Sequence, residues 1–261
     1  DNGICRYVHL STGNYNDKTA RLYSDLSLFT INQQIAQDAT LFFNMITGYS
    51  VIQSMQQLII APVNLKRRLI ELIDREAKRS SQEYPGKIVA KLNSLADVEV
   101  INALYRANQA GVSIQLNVRG ICMLVPGVPG LSEHIQVVSI IDRYLEHSRI
   151  LYFANGGAEE IYISSADWMS RNLDRRIELM VPLLDASVTN TVKGILFSFF
   201  KDNTHSHVLA PDGVWSRRSP DTDEEAFRVQ EALYTELKLA SELSRTAPRQ
   251  EFIVRRRPPA E

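Results

Sequence analysis

The chain has 261 residues, enough to bury a sizeable core in one large domain or two modest ones. Its 44% hydrophobic and 23% charged residues exclude collagen-like and low-complexity classes. The 29 basic and 30 acidic side chains give a formal charge of −1, so no overall positive field would attract a nucleic acid or an anionic membrane. No apolar run is long enough for a membrane helix. Two cysteines, Cys5 and Cys122, are too few for a disulfide framework, and we predict a cytoplasmic protein.

The amino-terminal part begins with a turn followed by a strand. Asn2 and Gly3 form a dipeptide typical of tight hairpin turns, and residues 4–10 have the composition of a strand. Because a hairpin turn needs a strand before it, we infer that the sequence is a fragment whose first strand has been removed. A polar loop over residues 11–18 follows, and it indicates either a site loop or a plain turn.

Helix and strand patterns alternate along the rest of the chain. Helices are predicted over residues 33–47, 65–80, 97–110, 140–146, 186–202 and 224–243. Strands are predicted over residues 23–30, 87–92, 112–118, 149–154, 160–164 and 178–183. Residues 87–118 have the order of a βαβ unit, and the alternation as a whole predicts an α/β layer fold. We interpret residues 205–223 as a polar loop and expect residues 255–259 to belong to a mobile tail.

The sequence contains an internal repeat. A shift of 153 residues superposes residues 7–15 on residues 160–168, and each copy runs from a strand into two hydroxyl residues, a small residue, an amide or acid, and an aromatic residue. His147 lies 17 residues before Ser164 of the second copy. The same spacing places the corresponding histidine of the first copy before residue 1, on the strand that the amino-terminal turn requires.

A duplicated histidine site suits phosphoryl transfer. One imidazole can accept a phosphoryl group while the other, across a pseudo-two-fold interface, protonates the leaving oxygen. Arginine, hydroxyl and amide side chains nearby would hold the phosphate oxygens, and a polyanion needs a row of cations. The candidates beside the two loops and His147 are Asn14, Arg149, Ser165, Arg171, Asn172, Arg175 and Arg176.

Several segments resemble the carboxyl-terminal part of the long-chain polyphosphate kinases. They are residues 7–16, 18–23, 118–122, 145–149 and 165–172, and the resemblance as a whole extends from about residue 7 to residue 202. That family is similar to the phospholipase D superfamily. The resemblance therefore implies an α/β fold of phospholipase D-like mixed-sheet layers with flanking helices. It divides the chain into the truncated end of a first catalytic domain (1–55), a complete second catalytic domain (56–245) and a mobile tail (246–261).

The resemblance also implies an activity. These kinases transfer the terminal phosphate of ATP reversibly to inorganic polyphosphate through a phosphohistidine, with Mg²⁺, and the reaction runs backwards when ADP is abundant. The nucleotide-contacting positions fall on Tyr23, Arg119 and His147, and His147 takes the partner role of general acid or phosphate-binding imidazole. The phosphorylated histidine and the magnesium ligands are expected upstream of residue 1, so we expect this chain to be inactive alone. We also expect a homo-oligomer for the full-length protein.

Simpler interpretations exist for individual residues, and two other functions stay open. Arg119 follows a strand and could merely cap or pair there, and Tyr23 could be a core aromatic residue. His9 aligns with Tyr162 in the repeat, so we interpret it as a strand residue. A phospholipase D-like phosphodiesterase or nuclease would have lysine two residues after each histidine, whereas this chain has Arg149. The other alternative is a noncatalytic polyanion-binding module.

Overall fold

Nine strands of the described residues form one mixed sheet, and two pairs of short strands lie beside it. The structure, a computed structural model, describes residues 5–48 and 54–246. Its strands are β1 (Val8–Ser11), β2 (Tyr23–Ser24), β3 (Ser27–Thr30), β4 (Ile59–Ala61), β5 (Lys87–Leu92), β6 (Ser113–Val118), β7 (Ile135–Ile140), β8 (Leu145–Glu146), β9 (Arg149–Phe153), β10 (Glu160–Ser164), β11 (Glu178–Pro182), β12 (Ser206–Leu209) and β13 (Trp215–Arg217). Its α-helices are α1 (Gln33–Ile46), α2 (Leu65–Arg79), α3 (Val98–Gln109), α4 (Ser170–Asp174), α5 (Ala186–Ser198) and α6 (Val229–Thr246).

The large sheet has the strand order β13-β12-β7-β6-β5-β9-β10-β11-β4. Strands β5, β6 and β7 are parallel, and the remaining neighbours are antiparallel. The predicted βαβ unit is confirmed as β5-α3-β6. Because β9 and β11 run opposite to β5 and β10, the ends of β5, β6 and β10 and the beginnings of β9 and β11 meet at one sheet edge. The predicted α/β fold with a mixed sheet and flanking helices is thereby confirmed.

Helices cover both faces of the sheet. Residues 88–90 are fully buried, since one face packs under α2 and α3 and the other under α1 and α5. Leu69 and Leu72 of α2 are completely buried in the first cluster, and each such side chain contributes about 1.5–3 kcal/mol of hydrophobic free energy. Asp97 begins α3 by accepting hydrogen bonds from the N–H groups of Glu99 and Val100.

Several contacts join residues 5–48 to the rest of the described chain. The buried carboxylate of Asp38 on α1 accepts hydrogen bonds from the backbone N–H groups of residues 56, 57 and 58, just before β4. Strand β2 pairs in parallel with β8. Arg149 at the beginning of β9 donates a hydrogen bond to the carbonyl oxygen of Thr12, in the loop after β1. The polar loop of the first repeat copy is therefore held at the sheet edge described above.

Several sequence predictions differ from the structure. The helix predicted over residues 140–146 is wrong, because β7 ends at Ile140 and β8 occupies Leu145–Glu146. The strand predicted over residues 23–30 is two strands, and the loop predicted over residues 205–223 contains β12 and β13. The last two predicted helices have different bounds, since α5 ends at Ser198 before a 3₁₀ turn and α6 begins at Val229.

Some predictions concern residues outside the described ranges. They are the Asn2-Gly3 turn, part of the proposed domain boundary near residue 55, and the tail beyond residue 246. Within the described ranges, none of the helices combines the length and the apolar composition needed to cross a bilayer.

Candidate active site

A polar cleft of about 350 Å³ lies at the sheet edge where the two repeat loops meet. The ends of β5, β6 and β10 and the beginnings of β9 and β11 all contribute to it, together with α4 and the loop after β1. Of the ten side chains predicted from the sequence as site residues, all but Arg175 line this cleft. They are Asn14, Tyr23, Arg119, His147, Arg149, Ser165, Arg171, Asn172 and Arg176.

The first part of the chain holds the His147 imidazole. Nδ1 of His147 lies 3.0 Å from Oδ1 of Asp25, and the ring of Tyr23 stacks on the imidazole at a centroid distance of 4.3 Å. The backbone N–H of His147 donates to the carbonyl oxygen of Ser24. A carboxylate on one ring nitrogen fixes the orientation of the ring, and Nη1 of Arg149 lies 3.0 Å from Nδ1 and 3.2 Å from Nε2. The imidazole is thus prepared for proton transfer or for binding an anion.

The buried side chain of Lys91 fixes the backbone on both sides of His147. Nζ of Lys91, on β5, lies 3.2 Å from the Glu146 carboxylate and 2.8 Å from the Ser148 hydroxyl oxygen, and it donates a further hydrogen bond to the carbonyl oxygen of Ser148. Burial lowers the pKa of Lys91, and the Glu146 carboxylate opposes that change. Because residues 146 and 148 flank His147, the buried ammonium group determines the path of the chain there.

Arg149 is fixed by a buried carboxylate. Its Nε and Nη2 donate to the two oxygens of Asp167 at 3.2 Å and 2.9 Å, and both residues are buried. Nη1 donates to the carbonyl oxygens of Thr12 and His147. Asp167 also accepts hydrogen bonds from the backbone N–H groups of Asn93 and Ser94. The charge of Arg149 is therefore balanced inside the protein, and its side chain joins the two repeat loops.

Three other arginines of the cleft keep an unbalanced charge. Of the ion pairs formed by the described residues, none includes Arg119, Arg171 or Arg176. Burial, together with the nearby charge of Arg149, lowers the pKa of Arg119. Unpaired guanidinium groups that converge on one cleft form a site for an anion rich in oxygen, such as phosphate or polyphosphate.

The lining of the cleft also includes a carboxylate, that of Glu178. Glu178 accepts hydrogen bonds from the Ser165 hydroxyl group and, at 2.8 Å, from Nδ2 of the buried Asn172 side chain. No hydrogen-bond partner for Oδ1 of Asn172 is found among the described residues. In this geometry Ser165 and Asn172 direct their donors to Glu178 rather than into the cleft.

Two family models match the chain. Residues 58–230 match the model described as polyphosphate kinase C-terminal domain 2, and residues 1–52 match polyphosphate kinase C-terminal domain 1. The chain belongs to the polyphosphate kinase family. The resemblance predicted from the sequence is confirmed.

Individual relatives agree with this assignment. The chain is 50% identical over 250 residues to a polyphosphate kinase of Rhodopirellula baltica. The aligned region covers 96% of this chain and 29% of that protein. The polyphosphate kinase of Pseudomonas aeruginosa is 47% identical over 237 residues, covering 91% of this chain and 34% of that protein. The crystal structure of polyphosphate kinase from Porphyromonas gingivalis superposes with a TM-score of 0.85 at 41% identity, covering 91% of this chain and 36% of that one. The chain thus spans about a third of the length of these relatives.

The described residues form no metal site. No group of three histidine, cysteine, aspartate or glutamate side chains is arranged to hold a metal ion within the described ranges. The acidic residues that line the cleft, Asp167 and Glu178, already accept hydrogen bonds from protein donors. No residue here is assigned to Mg²⁺, and the expectation that its ligands lie upstream stays a prediction.

Two predicted residues lie outside the cleft. Arg175 follows α4 and is exposed. His9, interpreted from the sequence as a strand residue, lies on β1 between the rings of Tyr15 and Phe29. His9 borders a larger groove of about 700 Å³ that adjoins the cleft but has mainly apolar walls, including Phe42. We assign the functional site to the smaller polar cleft, because apolar walls do not bind phosphate.

Sequence reasoning missed Lys91, Asn93, Asp25 and Glu178. One available signal would have found the last two, since the shift of 153 residues that defines the repeat also superposes Asp25 on Glu178. Glu178 lines the cleft, and Asp25 lies against the His147 imidazole that lines it. Lys91 and Asn93 have no such signal, because they lie on or directly after a strand that is otherwise apolar.

Proposed function

We propose that this chain is the carboxyl-terminal, phosphate-handling part of an enzyme that transfers the terminal phosphate of ATP reversibly to inorganic polyphosphate. The observation that carries the proposal is the convergence of Arg119, Arg171 and Arg176, none of them in an ion pair within the described ranges, on the cleft that contains His147. A phosphoryl group in transfer carries negative charge on its outer oxygens, and unpaired guanidinium groups stabilise that charge.

His147 would act as the proton donor or phosphate-binding imidazole of the reaction. The Asp25 carboxylate holds Nδ1 of the ring, while Nε2 lies 3.2 Å from Nη1 of Arg149, so a phosphate oxygen would reach Nε2 beside that guanidinium group. The primary nucleophile, in this proposal, is the repeat-related histidine upstream of residue 1. Two imidazoles and a set of arginines then surround the phosphorus atom, and Mg²⁺ held outside this chain would neutralise further phosphate charge when bound.

Arg119 and Tyr23 would bind the nucleotide with His147. One face of the Tyr23 ring stacks on the imidazole and is therefore covered. The Tyr23 hydroxyl group is better placed than this covered face for contact with ATP. Arg171 and Arg176 would continue the row of cations for polyphosphate, with Arg175 outside it on the exposed side. We further propose a cytoplasmic location and a homo-oligomer for the full-length protein; the free cysteines Cys5 and Cys122 fit a reducing compartment.

Noncatalytic binding of a polyanion is the second candidate. The exposed Arg171 and Arg176 favour it, because they would bind a polyanion even without a nucleophile. The phosphodiesterase alternative has less support, since the residue that replaces its lysine, Arg149, is neutralised by Asp167.

Replacement of His147 by alanine in the complete natural polypeptide tests the proposal. We expect polyphosphate synthesis from ATP to fall by about 100-fold or more, the usual contribution of a general acid. His134→Ala is the matched control, because His134 is exposed and does not line the cleft. Retention of synthesis by the His147 variant would refute its role.

A second measurement addresses the nucleophile. The 261-residue chain, incubated with labelled ATP, is expected to acquire no acid-labile phosphate. Strong labelling would show that the nucleophile lies within the chain.

A further inference from the structure

We propose that Asn93 is a positioning residue that aims Arg119 at the anion while leaving the positive charge of Arg119 available. This inference rests on the proposed function, since it concerns how the same cleft binds phosphate. Oδ1 of Asn93 accepts a hydrogen bond of 3.0 Å from Nε of Arg119. A guanidinium group has five N–H donors, so the bond at Nε leaves the four donors at its end for phosphate oxygens.

The backbone around Asn93 is fixed on two sides. Its N–H donates to the buried Asp167 carboxylate at 2.8 Å, and its carbonyl oxygen accepts from the N–H of Gly120 at 2.8 Å. A Cβ at position 120 would lie only 2.9 Å from that carbonyl oxygen, so glycine is what lets the ends of β5 and β6 approach so closely. Asn93 therefore stays next to Arg119 whether or not a ligand is present.

The orientation of the Asn93 amide follows from its two neighbours. Nε of Arg119 can only donate, so it requires the amide oxygen of Asn93 on its side. The amide nitrogen then lies 3.5 Å from the carbonyl oxygen of His147, which can only accept. One buried side chain is thus located between the arginine and the histidine of the cleft.

The chemical type of the partner distinguishes the two central arginines. Arg149 is held by a carboxylate, which cancels its charge, whereas Arg119 is held by a neutral amide. Burial of a charged group is costly unless the charge is compensated, and an amide compensates it only in part. The remaining demand for negative charge at Arg119 is what an incoming phosphate would satisfy.

Titration of the chain with inorganic tripolyphosphate by calorimetry tests this inference. We expect Asn93→Ala to weaken binding about tenfold, as expected for the loss of one hydrogen bond to a charged group. Asn93→Asp keeps an acceptor for Nε but adds a negative charge, so it should weaken binding more than the alanine variant does. Asn117→Ala is the matched control, since Asn117 is similarly buried on β6 and no hydrogen bond links it to Arg119 within the described ranges.

A double-mutant cycle with Arg119→Ala separates positioning from a structural role. If Asn93 acts through Arg119, Asn93→Ala should cause no further loss of tripolyphosphate affinity in the Arg119→Ala background. Full additivity, or wild-type affinity of the Asn93 variants, would overturn the inference while leaving the proposed function intact. Unchanged affinity of Arg119→Ala alone would overturn both. Thermal melting verifies that each variant folds, and Asn93→Ser replaces the alanine variant if that one does not.

Discussion

Replacement of Asp167 by alanine tests whether Arg149 is part of the fold rather than a free phosphate ligand. Asp167 receives two hydrogen bonds from the Arg149 guanidinium group and two from backbone N–H groups, and both side chains are buried. Alanine would leave a buried cation without its partner, a defect that costs about 3–5 kcal/mol. At about 2–4 °C per kcal/mol for a chain of this size, we expect the melting temperature to fall by about 6–20 °C.

Urea denaturation followed by circular dichroism measures the loss of stability directly. The double variant Arg149→Met with Asp167→Ala removes both charges, and it should be more stable than Asp167→Ala alone because no uncompensated charge remains. Asp174→Ala is the surface control, since the exposed Asp174 pairs with Lys66 and such pairs contribute about 0–1 kcal/mol. A loss below about 1 kcal/mol for Asp167→Ala, or strictly additive effects of the two substitutions, would refute a buried, fixed Arg149.

Three further predictions follow from single contacts. Asp25→Asn removes the carboxylate that holds His147, and we expect polyphosphate synthesis by the complete protein to fall about tenfold, the loss of one charged hydrogen bond. Gly13→Ala would put a Cβ 2.1 Å from Oδ2 of Asp25, so a crystal structure of the variant should show that carboxylate displaced. The effect of Gly13→Ala on synthesis should not add to the effect of Asp25→Asn. Burial raises the pKa of Glu160, but the hydrogen bond from Arg75 outweighs burial, so the pKa is lower than usual. The stabilisation from this carboxylate is present above about pH 4.3 and is lost as the pH falls through the folded-state pKa. Glu160→Gln should therefore flatten the acid side of the stability curve measured by denaturation.

The regular part of the fold could be predicted because local patterns determine it. Strand β5 and helix α3 show their apolar periodicity within one short segment, and both were predicted within a residue or two of their bounds. The segment after β7 could not be predicted, since tertiary contacts determine it. Asp142 accepts hydrogen bonds from Arg228, and the backbone of Tyr144 is held by Gln230, so residues from the far end of the chain keep this segment from becoming a helix.

The site shows the same division between local and distant information. The repeat and the family resemblance located the loops and the positions of His147 and Arg119. Which side chain each of them contacts depends on packing: the partner of His147 is 122 residues away in the sequence, and the partner of Arg119 is 26 residues away. The sequence also could not separate Arg149 from the other arginines, since its neutralising carboxylate, Asp167, lies 18 residues away and meets it only when β9 and β10 pair.

The contacts across the cleft explain why the chemistry cannot be attributed to one repeat copy. The carboxylate on His147 comes from Asp25 of the first copy, while the histidine belongs to the second. Arg149 connects them again, because it bonds the carbonyl oxygen of Thr12 from one loop and the carboxylate of Asp167 from the other. The second copy alone would have a histidine without its carboxylate partner and a buried arginine without one of its acceptors. The same hydrogen bonds therefore contribute both to the contact between the two copies and to the orientation of the phosphate-binding groups.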